Sequence, residues 1–189
     1  MIPVTDLKQW VYCPRVVYYH RLMPTAGVMT HKMREALRAQ DWLEHLELRR
    51  SLKKYGFEHA RRRFGVWLSD SDLGLSGRVD MLLQTPDSAT IVDFKLTSGP
   101  PADNHKMQLA GYALLVHRVL HLPVATAFLL RIPDSTLFEI PITPAHLEHA
   151  IQTTRRIQEM AESQLLPDPA SNRHKCADCE YANFCADVW

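Results

Sequence analysis

The sequence predicts a mixed α/β fold, in which a mixed central sheet is flanked by helices, in one domain of 189 residues. Three observations predict it. Gly77 to Lys95 holds two apolar runs joined by a turn signal at Pro86-Asp87, which reads as a β-hairpin. Residues 124–130 form a nearly unbroken apolar run, the pattern of a strand buried on both faces. Helical periodicity surrounds these strands, and the order helices, three strands, helix, strand suits a sheet with helices on both sides. The length supports one good core and a small appendage, not two independent domains.

Taken in order, Thr5 or Asp6 is a plausible cap for a helix through Leu7-Lys-Gln-Trp-Val. Pro14 sets a boundary, after which residues 16–22 continue as an apolar segment, helical or extended. Met33, Leu37, Leu43 and Leu46 space one long amphipathic helix over about residues 32–55, which Gly56 stops. Val66-Trp-Leu reads as a short strand ahead of hairpin strands at 75–84 and 90–96. Leu109, Ala113, Val116 and Leu120 define a helix from Asn104 that ends before Pro123. A shorter strand follows at 137–140, then a helix opened by Pro144 and running to about Gln164. Residues 165–172 form a linker to a compact cysteine-rich tail.

The composition, 46% hydrophobic and 23% charged, is that of an ordinary globular protein. No apolar run reaches the ~20 residues that span a bilayer, and the polar N-terminus lacks a signal-peptide core, so a cytoplasmic protein with no membrane partner is expected. A net charge of +1 leaves nucleic-acid binding to local basic patches.

The hairpin carries chemistry. With the reversal centred on Pro86-Asp87, Asp80 stands opposite Asp93, and directly opposed carboxylates repel unless a cation lies between them. Alternation puts Lys95 on the face of Asp93, opposite Arg78, and puts Val79, Met81, Leu83, Val92 and Phe94 on the other face. A solvated hairpin with a charged outer face would show the same spacing. Leu82 and Ile91 on the charged face argue that it is at least partly covered.

Four cysteines in a reducing compartment point to metal ligation rather than disulfides. Cys176, Cys179 and Cys185 form C-x2-C-x5-C, and Cys13 is the remaining cysteine. One distant cysteine plus a C-terminal triplet is irregular for zinc and feasible for a 4Fe-4S cluster. Zinc with His174 as a substitute ligand, and free thiols, are the alternatives. Either centre would join residues 1–23 and 166–189 into one subdomain beside the helical segment and core of 24–165.

Asp80, followed thirteen positions on by Asp93-Phe94-Lys95, resembles the metal site of the PD-(D/E)xK fold in its RecB-like branch. Gln108 and Tyr112, one helical turn apart, match the Gln-x-x-x-Tyr motif of that branch. With Cys13 and the terminal triplet, these motifs are similar to the RecB-like exonuclease of CRISPR adaptation, the fourth CRISPR-associated protein family. The resemblance implies a 4Fe-4S nuclease that trims and selects prespacer DNA, single-stranded or overhanging, with recognition of the protospacer-adjacent motif, alongside the CRISPR integrase complex. It implies that Asp80, Asp93 and the Phe94 carbonyl hold Mg2+ or Mn2+, that Lys95 acts on the attacking water or the phosphate, and that Gln108 and Tyr112 position substrate. At the place of the family's Gly-x-x-x-His motif, about forty residues ahead of Asp80, this chain has Ala36 and Gln40. Gln40 offers a carbonyl oxygen that hard Mg2+ tolerates and is a poorer match for Mn2+. A weakly active or inactive module that binds DNA and docks partners is therefore the rival expectation.

Arg49, Arg50, Arg61, Arg62 and Arg63, with Arg15, are the candidate DNA-backbone contacts. A solvated charged face is the plainer reading of that run.

Overall fold

The computed structural model describes residues 1–23, 43–97, 99–132, 134–177 and 179–185. Gln40 and Ala36 lie outside these residues. The sheet has six strands: β1 (Ile2–Pro3), β2 (Arg61–Asp70), β3 (Leu75–Gln84), β4 (Ala89–Lys95), β5 (Thr126–Arg131) and β6 (Leu137–Pro141), in the order β1-β3-β4-β5-β6 with β2 on the other edge of β3. The helices are α1 (Val4–Tyr12), α2 (Pro14–Leu22), α3 (through 43–49), α4 (Asp103–Leu120) and α5 (Pro144–Ser163).

The mixed α/β class follows the expectation, and β1 on β3 and β5 on β4 are its parallel pairs. The hairpin register also follows it, with Met81 paired to Val92 and Gln84 to Ala89. β5 is buried on both faces: Ala127 and Leu129 join one core cluster, Phe128 and Leu130 the other. The first cluster is covered by α1, α4 and α5, and the second by α3 and the 3-10 turn Leu52–Tyr55.

Several expectations are corrected. α1 begins at Val4 with Pro3 in the cap position and no side-chain cap, so Asp6 is free to be buried and to bind His20 (2.9 Å) and Arg21 (3.2 Å) of α2. The described end of the long predicted helix stops at residue 49, before a separate 3-10 turn whose Ser51 accepts from Lys53 N. β2 spans ten residues and takes in the arginine run. Strict alternation fails along β3: Val79 and Leu82 belong to one cluster, Met81 and Leu83 to the other. The change of side falls beside Gly65, whose φ of +57° bends the neighbouring strand in the left-handed region. Arg78 pairs with Trp67 of β2, and Lys95 pairs with Arg131 of β5, so the two do not face each other.

Candidate active site

The β3–β4 ladder ends at Met81 and Val92, and beyond it β4 turns toward β5. The strands fork, and Asp80 and Asp93 stand at the fork. A side chain replaces the missing rung: Phe94 N donates to Asp80 Oδ2 at 2.9 Å. Asp93 is buried, its Oδ2 lies 2.6 Å from Lys95 Nζ, and its Oδ1 is buried with no hydrogen-bond partner.

Burial, and then the neighbouring Asp93 charge, raise the Asp80 pKa to about 7, against the smaller opposing effects of Lys95 and the Phe94 N–H. Two carboxyl groups crowded in this way favour a cation between them.

α4 lies against the fork because small residues allow it. A Cβ on Gly77 would come within 2.8 Å of the Tyr112 ring and 3.0 Å of Val4, and one on Gly111 within 3.0 Å of Val4. Tyr112 and Gln108 are both buried there, with Gln108 Nε2 donating to the Tyr112 hydroxyl at 3.2 Å. That bond leaves Gln108 Oε1 buried without a partner. Burial, followed by Asp93 and Asp80, raises the Tyr112 pKa, so its hydroxyl stays protonated at neutral pH.

The structure therefore brings Asp80, Asp93, Phe94, Lys95, Gln108 and Tyr112 to one place. Two residues escaped the sequence reading. Lys8 of α1 is close enough to feel Lys95, Asp93 and Asp80, and burial first, then Lys95, lower its pKa to about 8. His105, in the first turn of α4, is lowered to about 4 by burial, Lys8 and Lys95, and its Nδ1 accepts from Ala102 N at 3.2 Å. The available signal for Lys8 was a charged residue in register with Val4 on the apolar face of α1.

Among the described residues no three His, Cys, Asp or Glu side chains already stand as a metal-ligand group. The donors at the fork nonetheless fit a hard divalent ion. They are two carboxylates and two carbonyl oxygens, and the buried Asp93 Oδ1 and Gln108 Oε1 lack any donor.

Cys13, Cys176, Cys179 and Cys185 line one apolar cavity between α2 and the tail. Protein contacts already join its walls: Tyr12 and Lys175 exchange bonds of 3.1 and 2.8 Å, and the Tyr19 and Tyr181 rings stack at 5.6 Å. Arg15 sits here, donating to the Pro167 carbonyl at 2.8 Å and lying 3.6 Å from Cys185 Sγ. Burial, and then the neighbouring Cys13, Cys176 and Cys185, raise the Cys179 pKa. Four soft donors around one apolar space fit a thiolate-bound centre.

The arginine run divides. Arg62 binds the Leu48 carbonyl at 3.1 Å and also the Arg50 carbonyl, at the end of α3. Arg50 binds the fully buried Glu47 at 3.0 Å, which also takes Lys54 and Tyr55. Arg49 and Arg61 are exposed, and Arg63 is half-buried.

The PD-(D/E)XK nuclease superfamily model matches residues 6–186. A CRISPR-associated exonuclease Cas4 of Francisella tularensis subsp. novicida is 35% identical over 98% of this chain and 94% of its own. The chain belongs to the PD-(D/E)XK nucleases, in the Cas4 family. That of Aeropyrum pernix is 25% identical, over 98% of this chain and 94% of its own length. The solved structure of SSO0001, 22% identical, covers 100% of this chain and 86% of its own with a TM-score of 0.63, and so shares the fold. Family membership makes this chain a nuclease and implies a divalent metal.

Proposed function

We propose that this Cas4-family nuclease is a metal-dependent DNA exonuclease that trims and selects prespacers, including by their protospacer-adjacent motif, in the cytoplasm beside the CRISPR integrase complex. The observation that carries the enzymatic reading is the buried, unpartnered Asp93 Oδ1 beside Asp80, an acceptor that a cation shared by the two carboxylates would satisfy. Asp80, Asp93, the Phe94 carbonyl and Gln40 would hold Mg2+ or Mn2+. When bound there, the ion supplies charge for the scissile phosphate and lowers the pKa of an attacking water.

The chain's own groups do the rest. Lys95, held 2.6 Å from Asp93, would stand beside the reacting phosphate and offset developing negative charge. The Phe94 N–H fixes the Asp80 carboxylate, and the Tyr112 hydroxyl, kept protonated, donates toward substrate from a buried wall. Gln108 orients that hydroxyl. Exposed Arg49 and Arg61, with Arg63, meet DNA phosphates, while Arg15, Arg50 and Arg62 shape the neighbouring surface through their bonds to protein.

The four cysteines would hold a 4Fe-4S cluster that ties the N-terminal helices to the tail. The alternative function, a docking module without turnover, rests on Gln40 in place of histidine. Mn2+ should raise the melting temperature of wild type and leave Asp93→Ala unmoved. A wild type insensitive to both Mn2+ and Mg2+ would favour the docking module.

A further inference from the structure

We propose that Lys8 anchors the substrate strand, binding the phosphate next to the scissile one where single-stranded DNA enters the cleft between α1, α4 and the tail. The inference rests on the nuclease reading above and adds a residue to it. Val4 is locked between Gly77 and Gly111, and Lys8, one helical turn on, is thereby placed over the edge of the carboxylate fork. It lines a cleft of about 600 Å³ together with Gln9, Tyr12, Asn104, His105 and Lys175. That volume is within the range of small-molecule sites and admits a nucleotide-sized group.

Charge identifies the ligand. Lys8 is half-buried and makes no hydrogen bond or ion pair among the described residues. Only Asp93 and Asp80 favour its ammonium, while Lys95 opposes it. A divalent ion at the fork would take up charge of those carboxylates, and Lys8 and Lys95 would then lack part of their compensation. A phosphate restores it. Two further carboxylates reach the cleft: Asp103, paired with Lys106 at 3.0 Å, and Glu180. His105, held neutral, adds no competing cation beside it.

The test uses the full chain, a labelled single-stranded oligonucleotide, and Lys8→Met, Lys8→Gln and Lys8→Arg. Loss of one charged phosphate contact should weaken binding roughly tenfold in Lys8→Met and Lys8→Gln. It should also reduce the slope of log K against log salt by about 0.7. KM should rise with little change in kcat, because the neighbouring phosphate is bound equally in ground and transition states. Lys8→Arg should keep the wild-type slope. Folded neutral variants with wild-type affinity, slope and KM overturn the proposal while leaving the nuclease reading intact, provided wild type cleaves. A wild type that neither binds nor cleaves DNA overturns both. Should the neutral variants fail to fold, a scan of single methylphosphonate linkages decides with wild type alone. One neutral linkage beside the cut should weaken binding, and equal binding at every linkage overturns the proposal.

Discussion

Asp93 and Lys95 are joined across 2.6 Å by one carboxylate oxygen, while the other oxygen of Asp93 is buried with nothing to accept from. The lysine thus neutralises half of the acid and leaves the rest for a ligand. The same division underlies the expected behaviour of the whole fork.

Asp80 makes the metal-free protein sensitive to pH. Its folded pKa of about 7 lies above the unfolded 3.8, so the folded state holds the proton longer. Stability is full below about pH 4 and falls as pH rises toward 7, since between those values the native state binds more protons. Asp80→Asn should remove this decline and stabilise the metal-free protein near neutrality by roughly 2–4 kcal/mol. Denaturant melts in chelator at about pH 5 and about pH 7.5 check it. An advantage of the mutant that does not grow with pH would contradict it.

The cysteine cavity predicts an iron centre. Protein purified without oxygen should be brown and carry about four irons per chain. Cys13→Ala should lose the colour and melt earlier, because the centre joins the two ends of the chain. Colourless protein with one zinc would count against the cluster.

The arginines should separate into two kinds. Arg62→Ala should cost about 1–3 kcal/mol, since it strands the carbonyls at the end of α3. Reversing the charge of Arg61 and Arg63 should leave folding nearly unchanged, weaken DNA binding for all sequences alike and flatten its salt dependence. An unaltered salt slope would return these two to a solvated face.

Gly77→Ala should destabilise by about 1–3 kcal/mol by forcing a methyl against Tyr112. Pairing it with Tyr112→Leu should recover part of that loss, which a double-mutant cycle in denaturant measures. Strict additivity would show that the ring does not define the space.

The hairpin register was legible because Pro86-Asp87 fixes the turn, whereas the strict alternation expected along β3 fails beside Gly65. β5 was legible because only burial on both faces sustains an unbroken apolar run. β1 was not, since a two-residue strand carries no period. The charge of Arg61 to Arg63 hid half of β2, because the acceptors that make Arg62 tolerable there belong to α3, distant in sequence. Lys8 was missed for a similar reason: its meaning depends on the glycines that bring α1 against β3 and α4. The carboxylates and the lysine could be placed on one face from strand spacing, and the Gln-x-x-x-Tyr pair stood out only through the resemblance to the RecB-like motif, whereas the orphaned oxygens of Asp93 and Gln108 needed coordinates.

The most direct test of the account is a nuclease time course on end-labelled single-stranded and overhanging DNA with Mn2+ or Mg2+, beside Asp93→Ala and a chelator control. Progressive shortening from an end by wild type, lost in Asp93→Ala and in chelator, is the predicted result. Intact DNA with wild type in both metals, under conditions where it binds that DNA, would contradict it.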